Sequence, residues 1–224
     1  MPTRRTLALA LLALAPPAFA GILEEATGSC SNGDATACAA VGDAYLTGQG
    51  APKDAVKAAS FHGKACDAGH ARSCHNLGFS YENGLGVPKD AAAAARLFRK
   101  ACDGGHGKGC LNAGNAWFRG AGVAKDTTLA AQLYRRGCDA GNAQACFNAG
   151  YGHRDGDGAP KDPAKAVKLF ERSCDGGFAQ GCFAAGLAYA KGSGVPKDPA
   201  RAAQLQKKAC DDGFKDACGK RAAR

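Results

Sequence analysis

Residues 70–110 read HARSCHNLGFSYENGLGVPKDAAAAARLFRKACDGGHGKGC. Cys74 and Cys110 in this stretch are 36 residues apart, and seven residues separate Cys102 from Cys110. Working outward, the same Cys-x7-Cys pair stands at Cys30/Cys38, Cys66/Cys74, Cys102/Cys110, Cys138/Cys146, Cys174/Cys182 and Cys210/Cys218, without one insertion. Gly42, Gly78, Gly114, Gly150 and Gly186 keep the period, as do the Gly-x-Gly turns beginning at Gly48, Gly84, Gly120, Gly156 and Gly192. Self-similarity at a fixed period of this length is the signature of a solenoid, in which each unit buries its apolar face against its neighbours.

Each unit reads as two helices. Helix A runs from about His70 to Asn83 and is stopped at Gly84, because glycine tolerates the left-handed conformation of a helix end. Val87-Pro88-Lys89 is the connector, and Asp90 caps helix B with its side-chain oxygen. Asp162-Pro163 and Asp198-Pro199 repeat that start, with proline at the first helical position, where its missing N–H costs nothing. Helix B then places Ala94, Leu97, Phe98 and Ala101 on one stripe, and the later copies give Ala130, Leu133, Tyr134, Gly137 and Ala166, Leu169, Phe170, Ser173. The expected architecture is all-α: a right-handed α-solenoid of about five 36-residue helix-turn-helix units. The units lie at approximately 34–69, 70–105, 106–141, 142–177 and 178–213. Half-units flank them, Ile22–Cys30 as a leading helix B and Phe214–Arg224 as a trailing helix A, with Lys220, Arg221 and Arg224 as a solvent-facing cap.

These features resemble Sel1-like repeats: Asn-x-Gly, then Tyr-x-x-Gly-x-Gly-Val-Pro-Lys-Asp, then Leu-Phe-x-x-Ala-Cys-Asp-x-Gly. The cysteine-bearing 36-residue form is similar to the Helicobacter cysteine-rich protein (Hcp) family. Within a pair, the first cysteine ends helix B and the second lies in the opening turn of the next helix A, so the Asp-x-Gly turn between them predicts a disulfide at all six equivalent pairs. In the chain-entropy model so short a loop contributes about 2.5 kcal/mol per bridge. Zinc sites use closer cysteine spacings, and His62, His70, His75, His106 and His153 do not accompany every pair. No metal and no cofactor is therefore expected. His70 and His106 read as solvent-facing turn residues.

The 224 residues carry 46% hydrophobic side chains, enough for a core, and a formal charge of +9. Residues 1–20 read as a signal peptide: Arg4 and Arg5, then an apolar stretch from Leu7 to Ala15, then the small-x-small site Ala18-Phe19-Ala20. Cleavage near Ala20/Gly21 would leave residues 21–224 and take the charge to +7. The apolar stretch is too short to span a bilayer, and no other segment is longer. The destination is periplasmic or extracellular, where cysteines pair. A twin-arginine reading of Arg4-Arg5 stays open beside the general secretory one.

Family resemblance puts helix A on the inner surface of the superhelix. There Asn76, Asn112 and Asn148 recur two residues before the helix-A glycine, and a ladder of amides both donates to and accepts from a peptide backbone. The alternative is a repeated packing contact. Trp117, the only tryptophan, shares a register with Tyr81, His153 and Tyr189, while His75, Leu111, Phe147 and Phe183 share another; core packing and ligand contact both fit them. Lys53, Lys89, Lys125, Lys161 and Lys197 form a dispersed row next to aspartates and read as a solvated edge. Dispersed charge and the export signal argue against nucleic acid as partner. Resemblance to the Hcp proteins also implies β-lactamase or penicillin-binding activity, but no serine here has lysine three residues on, and Ser-Asp-Asn and Lys-Thr-Gly are absent. The expected function is a monomeric, non-catalytic scaffold that binds a protein or extended peptide. The alternative is a binder or hydrolase of β-lactams or peptidoglycan fragments.

Overall fold

The computed structural model describes residues 17–218, with side chains from Gly21 onward. The signal-peptide reading of residues 1–16 and the terminal cap at Lys220, Arg221 and Arg224 lie outside the described residues. Among the described residues there are eleven α-helices and no strand. The A helices are α2 (Ala35–Thr47), α4 (Ala71–Asn83), α6 (Gly107–Arg119), α8 (Ala143–Asp155) and α10 (Ala179–Lys191). The B helices are α1 (Pro17–Ser31), α3 (Ala55–Asp67), α5 (Ala91–Asp103), α7 (Thr127–Asp139), α9 (Pro163–Asp175) and α11 (Pro199–Asp211). The leading helix B thus begins at Pro17, earlier than expected. The trailing segment is a 3-10 turn at Lys215–Cys218 in place of the start of an α-helix.

Capping follows the repeat. Asp54, Asp90, Asp126, Asp162 and Asp198 each accept a backbone N–H in the first turn of helix B. Helix A is capped by Asp34, His70, His106 and Asn142 in turn, and Phe178 offers no such bond. His70 and His106 are therefore half-buried caps whose Nδ1 accepts the N–H of Ser73 and Gly109, which corrects their reading as solvent-facing turn residues. An unprotonated ring nitrogen supplies the acceptor that a carboxylate supplies elsewhere.

Packing inside a repeat centres on one contact. The helix-A glycine admits a helix-B side chain against its bare Cα: Gly42 meets His62, Gly78 meets Phe98, Gly114 meets Tyr134 and Gly150 meets Phe170. Between repeats, the second glycine of the turn abuts the start of the preceding helix B. A Cβ at Gly122 would lie 2.2 Å from the Ala91 carbonyl carbon, and one at Gly158 would lie 1.9 Å from Thr127 O. Both residues have positive φ, at 74°, so glycine is required there for conformation and for space.

All six cysteine pairs are bonded: Cys30–Cys38, Cys66–Cys74, Cys102–Cys110, Cys138–Cys146, Cys174–Cys182 and Cys210–Cys218. In the first five, the bond joins the end of a helix B to the first turn of the next helix A, so Cys38 lies in α2 and Cys182 in α10. The pairs are bonded alike but differ in their surroundings. Cys38 is buried with Cys30 in a small N-terminal cluster of Ala39 and Ala65, whereas Cys182 is buried with Cys174 in a larger C-terminal cluster containing Phe170 and Leu205. Cys210 is only half-buried and Cys218 is exposed, because no further repeat covers that junction among the described residues.

The helices flanking the inner bonds rest on small residues: Ala101 against Gly109, Gly137 against Ala145, Ser173 against Gly181. Ion pairs reinforce the junctions on the outside, at Lys100–Asp67, Arg136–Asp103 and Arg172–Asp139, each spanning 33 residues. Exposed pairs of this kind contribute less than about 1 kcal/mol each. Successive A helices from α4 to α10 approach one another more closely than successive B helices do. The A helices form one layer of the α-solenoid and the B helices the other. The connector lysines Lys53, Lys89, Lys125, Lys161 and Lys197 are all exposed.

Candidate functional site

Three clefts follow one another along the A layer, each between successive A helices with a helix B as floor. Their volumes are about 70 Å³ between α4 and α6, about 340 Å³ between α6 and α8, and about 170 Å³ between α8 and α10. The floor in each is the ring of a glycine-ring pair, Phe98, Tyr134 and Phe170 respectively. The contact that closes a repeat therefore also builds the base of its cleft. No cysteine lines any of the three. Cys38 and Cys182 illustrate why: each is sealed in its core cluster and oxidised, so the cysteines brace the site without entering it.

The central cleft is the largest of the three. Phe118, Tyr134, Phe147 and Tyr151 give it an aromatic lining. Phe118 is 41% exposed, large for a residue of its type. Asn115 and Asn148 flank Tyr134, whose hydroxyl donates to Asn115 Oδ1 at 2.9 Å. Burial pushes the Tyr134 phenol up to about 12, so it stays a donor at every physiological pH. The rim is charged: Arg119 comes from α6, and Asp155 and Asp157 come from the end of α8 and its turn. Arg154 stacks over Tyr151 at 3.9 Å and bonds Asp155 through Nε and Nη2 at 2.7 Å each. That fork holds the Asp155 carboxyl below the usual carboxylate range. An apolar slot with amides at its mouth and opposite charges on its rim accepts a large apolar side chain together with the polar backbone that carries it.

The three asparagines of the ladder all lie half-buried on the A layer, but their partners differ. Asn76 faces Asp43 and the ring of His62, at 3.4 and 3.5 Å. Asn112 meets His75 Nε2 of the preceding repeat at 3.2 Å and lines the small cleft. Asn148 borders the central cleft beside Tyr134. Trp117 is half-buried, packs against two core clusters and lies 6.0 Å from the Arg99 guanidinium. Asn115, Arg119, Tyr151 and Asp155 escaped the sequence reading. At the register of Asn115 the other repeats carry Asp43, Phe79, Tyr151 and Leu187, so no period advertises it.

The structure also assembles a serine, a histidine and an aspartate. His62 Nδ1 is 3.3 Å from Ser73 Oγ, and His62 Nε2 is 3.7 Å from Asp43 Oδ1. His62 and Ser73 are each 1% exposed, and Ser73 Oγ is already bonded to His70 Nδ1 at 2.8 Å. No substrate carbonyl reaches that oxygen, so the trio is a core contact: His62 fills the ring slot held by Phe98 and Phe170 in other repeats. Burial lowers the pKa of His62 against the opposing pull of Asp43, with Arg72 and His70 adding to the lowering. Burial lowers His75 and His106 as well. No group of three metal-ligating side chains occurs among the described residues.

The Sel1 repeat model matches residues 35–70, 71–106, 107–142, 143–178 and 179–214, most of the chain. The protein belongs to the Sel1 repeat family, whose members are scaffolds typical of protein–protein interaction. Its fold is similar to a Sel1 repeat protein from Oxalobacter formigenes, at 32% identity and a TM-score of 0.74, covering 82% of this chain and 73% of that one. It is also similar to a protective antigen of uropathogenic Escherichia coli with an SLR fold, at 25% identity and a TM-score of 0.74. That match covers 87% of this chain and 50% of the antigen, so the chain spans half of its length. Helicobacter pylori cysteine-rich protein B matches at 27% identity and a TM-score of 0.48, over 58% of this chain and 94% of that one. No curated protein matches. The six disulfides point to an oxidising, non-cytoplasmic compartment. No described helix is long and apolar enough to cross a membrane.

Proposed function

We propose that this protein is an exported, non-catalytic scaffold that holds an extended peptide segment of a partner along the A layer. A large apolar side chain of the peptide is seated between α6 and α8. The single observation behind this reading is the central cleft of about 340 Å³, aromatic in its lining and fringed by Asn115 and Asn148. Asn112 and Asn76 continue the amide path toward the N-terminal repeats, and Trp117 supports α6 from the core. A framework stapled at every junction loses little entropy on binding, which favours affinity from a modest contact area. Residues 1–20 act as the signal peptide, and residues 21–224 form the exported solenoid.

The test is selection of a displayed random-peptide library on the oxidised protein, followed by titration of the enriched peptide. Enrichment of an aromatic or long aliphatic anchor, with affinity reduced about tenfold by Asn148→Ala or Tyr151→Ala and an unchanged melting temperature in Asn148→Ala, supports the reading. Affinity untouched by both substitutions removes it.

A further inference from the structure

On the opposite side of the same repeats, a groove of about 570 Å³ runs between the B helices α7 and α9, with Ala149 and His153 of α8 as its floor. Its charged lining is cationic: Arg135 and Arg136 from α7 and Lys165 from α9, with His153 beside them. Arg136 is satisfied by Asp103 and by Cys102 O. Arg135 and Lys165 have no carboxylate partner among the described residues. Asp162, the nearest acid in sequence to Lys165, accepts a backbone N–H as the α9 cap.

The neighbouring grooves show what is missing here. At the register of Arg135 and Lys165, the α9–α11 groove has Glu171 and Arg201, an ion pair at 3.7 Å that also receives the Tyr189 hydroxyl. The α5–α7 groove has Arg99 and Leu129 at that register, and Arg99 lies against Trp117. His153 stands where those grooves carry Trp117 and Tyr189, and its ring is turned to Pro160 O at 2.9 Å. Ala159 stands where they carry Val123 and Val195. Two smaller side chains thus open the middle groove relative to both neighbours, and an arginine in place of the Glu171 of the α9–α11 groove leaves Arg135 and Lys165 without that ion pair.

We propose that this outer groove binds an acidic peptide segment, with carboxylates against Arg135 and Lys165 and aliphatic stems against Ala131, Ala149 and Ala159. Exposed Thr128 and Gln132 add neutral hydrogen-bonding groups for its backbone. An open surface trough much larger than one anion, with apolar walls between its charges, fits a chain bearing carboxylates. The groove shares the Ala131 wall with the A-layer cleft, but its cations Arg135 and Lys165 do not line that cleft.

The experiment is fluorescence anisotropy of labelled hexaglutamate with the oxidised protein at low ionic strength. Expected is saturable binding that weakens as salt is raised and falls at least about tenfold in Arg135→Glu and in Lys165→Glu. Ala159→Val, which restores the residue of the flanking repeats, weakens it too. Lys57→Glu on α3 removes the same charge elsewhere and leaves it unchanged, as does Asn148→Ala on the other face. Absence of saturable binding overturns the proposal, as does equal loss in Lys57→Glu and Arg135→Glu. Inorganic phosphate that displaces the probe as effectively as unlabelled hexaglutamate also overturns it, in favour of a small-anion site.

Discussion

Gly150 packs so closely on Phe170 that a Cβ built there would lie 2.6 Å from a ring carbon. The contact joins helix A to helix B and at the same time sets the level of the cleft floor beside it. Gly150→Ala gains some helix propensity, about 1 kcal/mol, but overpacks the ring at a cost of about 1–3 kcal/mol. We expect a net loss of up to about 2 kcal/mol by chemical denaturation. Phe170→Leu combined with Gly150→Ala should recover part of it.

Ser173 gives the opposite sign. Its hydroxyl is fully buried and has no hydrogen-bond partner among the described residues, and it faces Gly181 across a disulfide junction. The equivalent residues Ala65 and Ala101 carry no hydroxyl. Since a buried unsatisfied polar group costs about 1–3 kcal/mol, Ser173→Ala should stabilise the protein by about 1 kcal/mol. A lower denaturation midpoint in that variant would show that the hydroxyl has a role the packing does not reveal.

The histidines set a pH dependence. His62, His75 and His106 all have pKa values lowered from 6.5, chiefly by burial. Below 6.5 the unfolded chain takes up protons that the folded chain refuses, so stability is full above that pH and declines as pH falls beneath it. A melting-temperature profile from pH 8 to 5 should be flat and then descend, within the ranges where His titrates. His62→Phe, which installs the residue found at Phe98 and Phe170, should make the descent shallower.

Disulfide loss should be graded rather than catastrophic. Thiol titration of the unfolded, unreduced chain should find no free cysteine in the six pairs. Removing one bridge, as in Cys138→Ala with Cys146→Ala, should cost about 2–3 kcal/mol. The loss should appear mostly at the junction between α7 and α8, where amide exchange should rise most. Under mild reductant the exposed Cys210–Cys218 bond should open before the buried Cys30–Cys38 and Cys174–Cys182 bonds, as read by mass spectrometry of alkylated peptides.

Much of the fold was legible because a solenoid repeats its solutions. The caps at Asp90 and Asp162, the turn glycines and the cysteine pairs each serve the same geometric need every 36 residues, so period alone exposes them. Period did not expose the differing environments of Cys38, Cys182 and Cys218, which depend on how many repeats lie to either side. The cleft was legible only in part. The register of Asn112 and Asn148 announced an amide-bearing surface, but their partners did not follow from it, because His75 and Tyr134 sit on neighbouring helices and vary between repeats. Asn115, Arg119 and Asp155 were invisible for the complementary reason: they depart from the repeat. The same holds for His153 and Ala159 in the outer groove. Stability resides in what recurs, and the two candidate binding surfaces reside in what does not.

The disulfides have a consequence for the chain as a covalent object. Each inner one closes a small ring between one helix B and the following helix A, whereas no bridge crosses the connector inside a repeat, such as residues 120–126. The cross-linked module is therefore half a period out of phase with the repeat that packs. A protease cutting a ring opens a loop and releases nothing. A cut in a connector divides the protein into two pieces held together by non-covalent contacts alone, such as the glycine-on-ring packing, the Arg136–Asp103 ion pair and the Tyr134–Asn115 hydrogen bond. The connectors are the places where this molecule comes apart, and shielding them is what would govern its lifetime among proteases.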